Sequence, residues 1–311
     1  MPLMYNKRTL TVKAEGTYGT YSTPINTDAG FRCDDPVLDI IGKVTPRLRC
    51  DGGLGTDVSP PEDYSTKLTF KTKLHGDGST GDPNWAAKLF PAVGMPSSTT
   101  NTYATSNTTS SWAAVSAALN TDGLRRFGRG LMGNLKMSFT SGKPVICEWD
   151  FMGGYHEISS KNPDDATQLT SITYEEVVSP IFAQASAFTL DSSTSYKIST
   201  MSIDLGNQVF LRPDANSLGG YIGGWIGNRM PVITIDPEAV LNATKDWHDT
   251  YRAATQIGSI VAVVGSTTGN IATITATNLQ IAEFPKLADR SGVAKNDLKL
   301  QVNGSITIAF T

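Results

Sequence analysis

The stretch Asp122–Tyr155, DGLRRFGRGLMGNLKMSFTSGKPVICEWDFMGGY, admits few folds. Leu135, Met137 and Phe139 fall on one side of a two-residue period and Asn134, Lys136 and Ser138 on the other, as a half-buried strand requires. Ser141-Gly142 breaks the run. The return puts Val145, Cys147, Trp149 and Phe151 on one face and Ile146, Glu148, Asp150 and Met152 on the other. The pattern predicts a long antiparallel hairpin whose core face carries Leu135, Met137, Phe139, Cys147, Trp149 and Phe151. Its second face mixes Asn, Lys, Glu and Asp with a few apolar residues, which suits a sheet that meets water or a neighbouring subunit.

The rest of the chain reads as further strands. Arg8–Ala14, Val37–Arg49, Thr66–Leu74, Ser195–Leu211, Met230–Ile235, Gly258–Val264, Asn270–Ile281 and Asp297–Phe310 alternate or run extended. Pro46 inside the second of these predicts a bend, a bulge or a sheet edge. Gly and Pro exclude regular structure from Asp51–Asp63, Ser97–Asn120 reads as one irregular strand in a long loop, and Ser159–Ser171 and Arg212–Ile226 read as polar or Gly-rich connections. Two helices are predicted. Asp82 caps one, with Pro83 at its first position and its end near Pro91; Asp236, followed by Pro237, opens another through about Arg252.

A shared order runs through both halves: a long strand, a Gly-rich loop, a short strand, Asp-Pro opening a Trp-bearing helix, and a Gly-punctuated hairpin. The expected fold class is therefore mainly β, a sandwich or barrel with a flanking short helix, duplicated in tandem as domains 1–158 and 159–311. A length of 311 residues accommodates two such domains.

Composition narrows the function. Net charge is −3, which argues against tight sequence-independent binding of nucleic acid through phosphate neutralisation. Charged residues make up 18%, fewer than the roughly 25% usual for soluble domains. Such a surface suits a protein covered by copies of itself. No window approaches the about 18 apolar residues of a membrane span, and no leader pattern precedes the first strand; synthesis in a cytoplasm is expected. Cys33, Cys50 and Cys147 lack metal or redox spacing and read as reduced thiols, with a Cys33–Cys50 bridge as the alternative.

Candidate sites yield little chemistry. His75, His156 and His248 lie far apart, and the HGDGSTGDP loop lacks the ligand alternation of a calcium loop. Gly128-Arg129-Gly130 and Gly219–Gly227 lack the context of a phosphate loop, and Glu175-Glu176 reads as a solvated pair. No catalytic residue, metal ligand or cofactor is expected. Arg125, Arg126 and Arg129 form the one local charge excess. They read as a solvated loop or as a contact with acidic residues of another subunit.

Three stretches carry a resemblance: KAEGTYGTYSTP (Lys13–Pro24), KLTFKTKLHGDGSTGDPNWAAKLFPAVGM (Lys67–Met95) and GRGLMGNLKMSFTSGKPVICEWDFMGGY (Gly128–Tyr155). MSIDLGNQVFLRPDA (Met201–Ala215), NRMPVITIDPE (Asn228–Glu238) and Asn278–Phe284 add to it in the second half. On these patterns the chain resembles the major tail tube proteins of long-tailed bacteriophages. The resemblance implies rings, hexameric or trimeric and pseudo-hexameric, that stack into a tube in the virion tail. It also implies tape-measure, tail-terminator and distal-tail proteins as partners, and DNA passing through a lumen of neutral or negative charge, with Lys and Arg at contacts. Loops such as Asp51–Asp63, Ser97–Asn120 and Arg212–Gly227 become candidates for ring stacking. Two other classes stay open: a decoration or baseplate subunit, and a carbohydrate-binding β domain that would use Trp85, Trp112 and Trp225.

Overall fold

A computed structural model describes all residues except 1–3, 5–6, 25–31, 49–55, 80, 123, 158–173, 175–177, 184–186 and 194–195. In chain order the first half holds β1 (Arg8–Ala14), β2 (Asp34–Val44), β3 (Arg47–Leu48), β4 (Thr56–Asp57), β5 (Pro61–Lys73), α1 (Ala86–Ala92), β6 (Ser97–Thr99), β7 (Thr102–Ala104), β8 (Val115–Thr121), β9 (Leu124–Thr140) and β10 (Ile146–Tyr155). The second holds β11 (Phe188–Leu190), β12 (Thr200–Asp204), β13 (Asn207–Pro213), β14 (Tyr221–Arg229), β15 (Val232–Ile235), α2 (Trp247–Arg252), β16 (Ile257–Val264), β17 (Ala272–Ile281), β18 (Lys286–Arg290), β19 (Val293–Val302) and β20 (Ile306–Phe310).

The fold is mainly β. One antiparallel path runs β2-β5-β10-β9-β12-β15-β19-β17-β20-β7-β6, with β9 passing directly to β12. Across it Leu38, Leu68, Phe151 and Gly133 stand side by side in the first half, and Ile203, Ile233, Leu300 and Ile281 in the second. Most buried hydrophobic side chains of both halves pack into one contiguous core, and Ala114, Met132 and Ile226 form a second, small cluster.

Five strand pairings recur. β1·β8, β2·β5, β5·β10, β9·β10 and β8·β9 of the first half are matched by β11·β16, β12·β15, β15·β19, β17·β19 and β16·β17 of the second. Local geometry follows the same scheme. With the Leu38 row laid on the Ile203 row, Gly130 (φ 57°) falls on Asn278 (φ 54°), two left-handed residues at one place in the ladder. A buried Trp stands at the start of each helix, Trp85 as the N-cap residue of α1 and Trp247 as the first residue of α2, and each ends shortly before a left-handed residue, Gly94 (φ 74°) or Ala254 (φ 50°). The boundary expected at 158/159 and the linker Ser159–Ser171 lie outside the described residues, as do Cys50 and Glu175-Glu176.

Several elements depart from the sequence pattern. The run Ser195–Leu211 is two strands: Gly206 (φ 61°) turns β13 out of the main sheet into an arm with β14, so the Gly-rich stretch expected as loop is half strand. Ser97–Asn120, expected as one irregular strand in a loop, contains β8, whose small side chains are buried on both faces. Asp297–Phe310 breaks at Asn303–Ser305 into β19 and β20. Trp85, which a carbohydrate-binding domain would need exposed for sugar stacking, is fully buried.

Neither expected helix cap caps a helix. α1 starts at Ala86 with Trp85 as its N-cap residue and no side-chain cap bond; Asp82 instead accepts a short hydrogen bond from the Tyr103 hydroxyl. Pro83 and Asp82 stand one turn too early. α2 starts at Trp247, where the Asp246 carboxylate accepts from His248 N and Asp249 N. Asp236 accepts from Ser199 N and Thr200 N and pairs with Arg290 and Lys295. A carboxylate close to two cations and two amides is better satisfied there than at a solvated helix start.

Candidate assembly surfaces

The hairpin β9–β10 positions everything else. Leu135, Met137, Phe139, Cys147, Trp149 and Phe151 are all buried. Trp149, Phe70 and Phe151 form a triangle of near-parallel rings with centroids 6.0–6.1 Å apart, and Trp149 Nε1 donates to Thr72 Oγ1 at 2.9 Å. Thr72 is the polar exception on the apolar face of β5, and this bond satisfies it. Burial pushes the Cys147 and Cys33 thiols up to about 12, so neither is a ready nucleophile.

With that face in the core, the opposite face presents a charged lattice. Lys67 and Lys71 on β5 meet Asp150 and Glu148 on β10 at 3.2 and 3.0 Å. Further along, Lys295 meets Asp297 at 2.8 Å and Lys299 pairs with Glu283. Each of these lysines has a carboxylate beside it, so the face offers few uncompensated cations to a polyanion. The arm β13–β14 crosses this face at its glycine-rich end. A Cβ on Gly130 would lie 2.7 Å from Gly223 Cα, so glycines at both positions let two backbones touch.

The lattice is flanked by two open strands, β2 at one end of the sheet path and β18, which branches off beside β19. Among the described strands β2 pairs with β5, and β18 with β19, leaving each an unpaired side. Both carry apolar residues toward solvent: Ile40 is 44% and Ile41 47% exposed, and Leu287 is 70% exposed. Unpaired edges invite further strands.

The arginine trio lies on the first half of β9, with Arg129 opposite Gly154 at the open end of the β9–β10 hairpin. Arg126 Nη1 donates to Leu38 O on β2 at 3.2 Å and approaches Asp39 at 3.5 Å. Arg8 Nη1 likewise donates to Pro36 O at 2.9 Å, so two guanidinium groups cover carbonyls of the β2 edge. Arg125 lies over the Phe127 ring at 5.0 Å. Arg129 Nη1 donates to Gly19 O at 3.3 Å, while its Nε and Nη2 are buried without a hydrogen-bond partner.

Glu15, which the sequence reading passed over, anchors the chain after β1. Its Oε1 accepts from Gly130 N at 2.7 Å and Ser116 Oγ at 2.6 Å, and its Oε2 from Gly19 N at 2.8 Å. Burial raises its pKa above the ordinary value despite these donors and nearby Arg129. The signal available was a Glu followed by Gly16, Gly19 and a Tyr pair, which marks a turn but names no partner.

Among the described residues, Lys67 and Lys71 on β5 pair across strands with Asp150 and Glu148 on β10, and Lys295 pairs with Asp297 along β19, on one sheet face. That describes a structural β subunit. A comparison with protein families matches residues 6–311 to a family described as phage tail tube protein, and the chain belongs to that family. It is a structural component of the tail tube, with its place in the virion tail. A search of curated proteins finds no match.

Proposed function

We propose that this chain is the repeating subunit of a long-tailed phage's tail tube, in which three copies close into a ring with pseudo-sixfold symmetry. Rings stack, and the paired-charge face lines a lumen that conducts DNA during ejection. The observation that carries this reading is the recurrence of five strand pairings in both halves, with the halves joined through β9·β12. A closed ring needs a heterologous contact that repeats, and each chain already contains one copy of such a contact. Neutralised lysines suit DNA passage, because each uncompensated cation would gain counterion-release affinity for phosphate. In this reading the subunit is made in the host cytoplasm and meets tape-measure, tail-terminator and distal-tail proteins along and at the ends of the tube.

Electron microscopy of the purified protein tests it. Hollow tubes or stacked rings with sixfold appearance and a ring mass of three chains are expected. Six chains per ring would overturn the trimer, and particles that stay monomeric at high concentration would overturn the tube.

A further inference from the structure

Resting on that ring reading, we infer that β18 of one copy adds to the open edge of β2 in the next copy, in the register of the internal β9·β12 junction. Lys286 then stands opposite Asp39, Leu287 opposite Leu38 and Ala288 opposite Val37.

The register comes from the chain's own repeat. β12 corresponds to β2, because Ile203-Ile233-Leu300 occupies the place of Leu38-Leu68-Phe151. Three residues before Phe151 is Glu148, whose partner on β9 is Lys136; three before Leu300 is Asp297, whose partner on β18 is Lys286. Lys286 therefore takes the position of Lys136, with the same acidic neighbour across the ladder.

On its other side Lys136 stands opposite Asp204, one residue beyond Ile203. One residue beyond Leu38 is Asp39. The charge pattern of the internal junction is thus reproduced by two open strands, β2 at one end of the sheet path and β18 beside β19 in the second half. Apolar matching agrees: Met137, paired with Ile203, is fully buried, whereas its counterpart Leu287 is 70% exposed and, among the described strands, has β19 on one side and no strand on the other.

Backbone polarity agrees as well. Leu205 N donates to Leu135 O at 3.1 Å, so alternate residues of β12, including Ile203, turn their hydrogen-bonding groups toward β9. The corresponding residue on β2 is Leu38, and its carbonyl does point out of the sheet, where Arg126 takes it. Arg8 and Arg126 act as covers on an edge that would otherwise recruit strands at random. The incoming β18 replaces the Arg126 cover at Leu38, while Asp39 gains a second cation.

Disulfide trapping tests the pairing. Positions 39 and 286 form a non-hydrogen-bonded pair in this register, with Cα atoms about 4.5 Å apart, within the roughly 4.4–6.8 Å that a disulfide spans. The double variant Asp39→Cys, Lys286→Cys should give a ladder of interchain-linked species from assembled tubes, at least ~10-fold above either single variant. The off-register pair Asp39→Cys, Ala288→Cys should link far less.

Intact tubes without the ladder would overturn the β18·β2 pairing and leave the tube reading standing, and equal linkage by the off-register pair would overturn the register. Failure of the wild-type chain to form rings would overturn the reading underneath. A charge swap gives a second readout: Asp39→Lys should lower tube yield ~10-fold or more, and Lys286→Asp in the same chain should restore most of it. Absence of rescue would place the role of Asp39 at Arg126 alone and count against the pairing.

Discussion

The two halves of the chain share a pairing scheme and differ in what fills and covers it. The first packs its hairpin with aromatic rings, Trp85, Phe90, Trp149, Phe151 and Phe70; around β17 and β19 the second uses Ile257, Ile260, Ile274, Leu279, Leu298 and Leu300. β10 runs unbroken apart from a bulge between Met152 and Gly154, whereas its counterpart is split into β19 and β20. The ladder tolerates these changes because strand pairing is carried by the backbone and depends on side chains chiefly for face and volume. Difference in cover is the more instructive. Gly130 lies under the arm β13–β14, and Asn278, at the equivalent place, is exposed.

The largest effects should come from the cores. Trp149→Asp puts a charge with no partner into the buried aromatic cluster of Phe70 and Phe151 and should cost more than about 4 kcal/mol, leaving no soluble folded chain and no tubes. Normal assembly of that variant would mean the faces of β10 are inverted. Trp149→Ala and Leu298→Ala, at matched positions, sharpen the comparison. Losses of about 3–5 and 2–4 kcal/mol are expected in urea unfolding, the first being larger because Thr72 also loses its donor.

Cover predicts an asymmetry of the next size. Gly130→Asn places a Cβ 2.8 Å from Ile222 O and should cost about 2–3 kcal/mol, although Asn tolerates the left-handed φ. Asn278→Gly removes little contact and should change stability by less than about 0.5 kcal/mol. Equal losses at the two sites would show that conformation, and not the arm, governs Gly130.

What the sequence made legible follows from these same contrasts. Period-two runs in β1, β5, β9, β10, β16 and β17 named the strands and their faces because each has one buried side. β8 escaped because VSAALNT is buried on both faces and alternates in nothing. The run Ser195–Leu211 escaped because alternation continues across Gly206 while the chain changes sheets. Asp-Pro looked like a helix start twice; the short helices are placed instead by Trp85 and Trp247 entering the core, a tertiary effect no local rule contains. The edges were invisible, since which strand ends a sheet depends on pairings between residues far apart. Arg126 illustrates it: charge alone drew notice, and its role became readable when β2 came beside it.

The two helices differ in the same way. Asp246→Ala removes a cap that accepts from two amides and should cost about 1 kcal/mol in thermal or urea unfolding. Asp82→Ala should cost a similar or smaller amount, through Tyr103 and not through α1. A Tyr103→Phe background separates the two: there Asp82→Ala should have almost no further effect, and a persistent loss would restore Asp82 as a helix determinant.

The smallest effect contrasts the residues that follow β1 and β11. Glu15 is buried, while Asp191 is exposed and accepts from Gly258 N at 3.2 Å. Burial raises the folded-state pKa of Glu15 above the 4.5 of an ordinary glutamate. Its contribution to stability is therefore fully present below about pH 4.5 and is lost as pH rises through the raised value, where the folded state must hold a buried charge. Glu15→Gln cannot ionise, so its stability relative to wild type should rise between about pH 4 and neutral. Asp77, Asp214 and Glu283, whose pKa values are lowered, push wild-type stability the opposite way but are present in both proteins and cancel in the difference. Asp191→Asn should show a change of less than about 0.5 kcal/mol, as an exposed control. A Glu15→Gln gap that stays flat or closes in the opposite sense would mean that Gly130 N, Gly19 N, Ser116 and Arg129 together stabilise the ionised carboxylate against the cost of burying it.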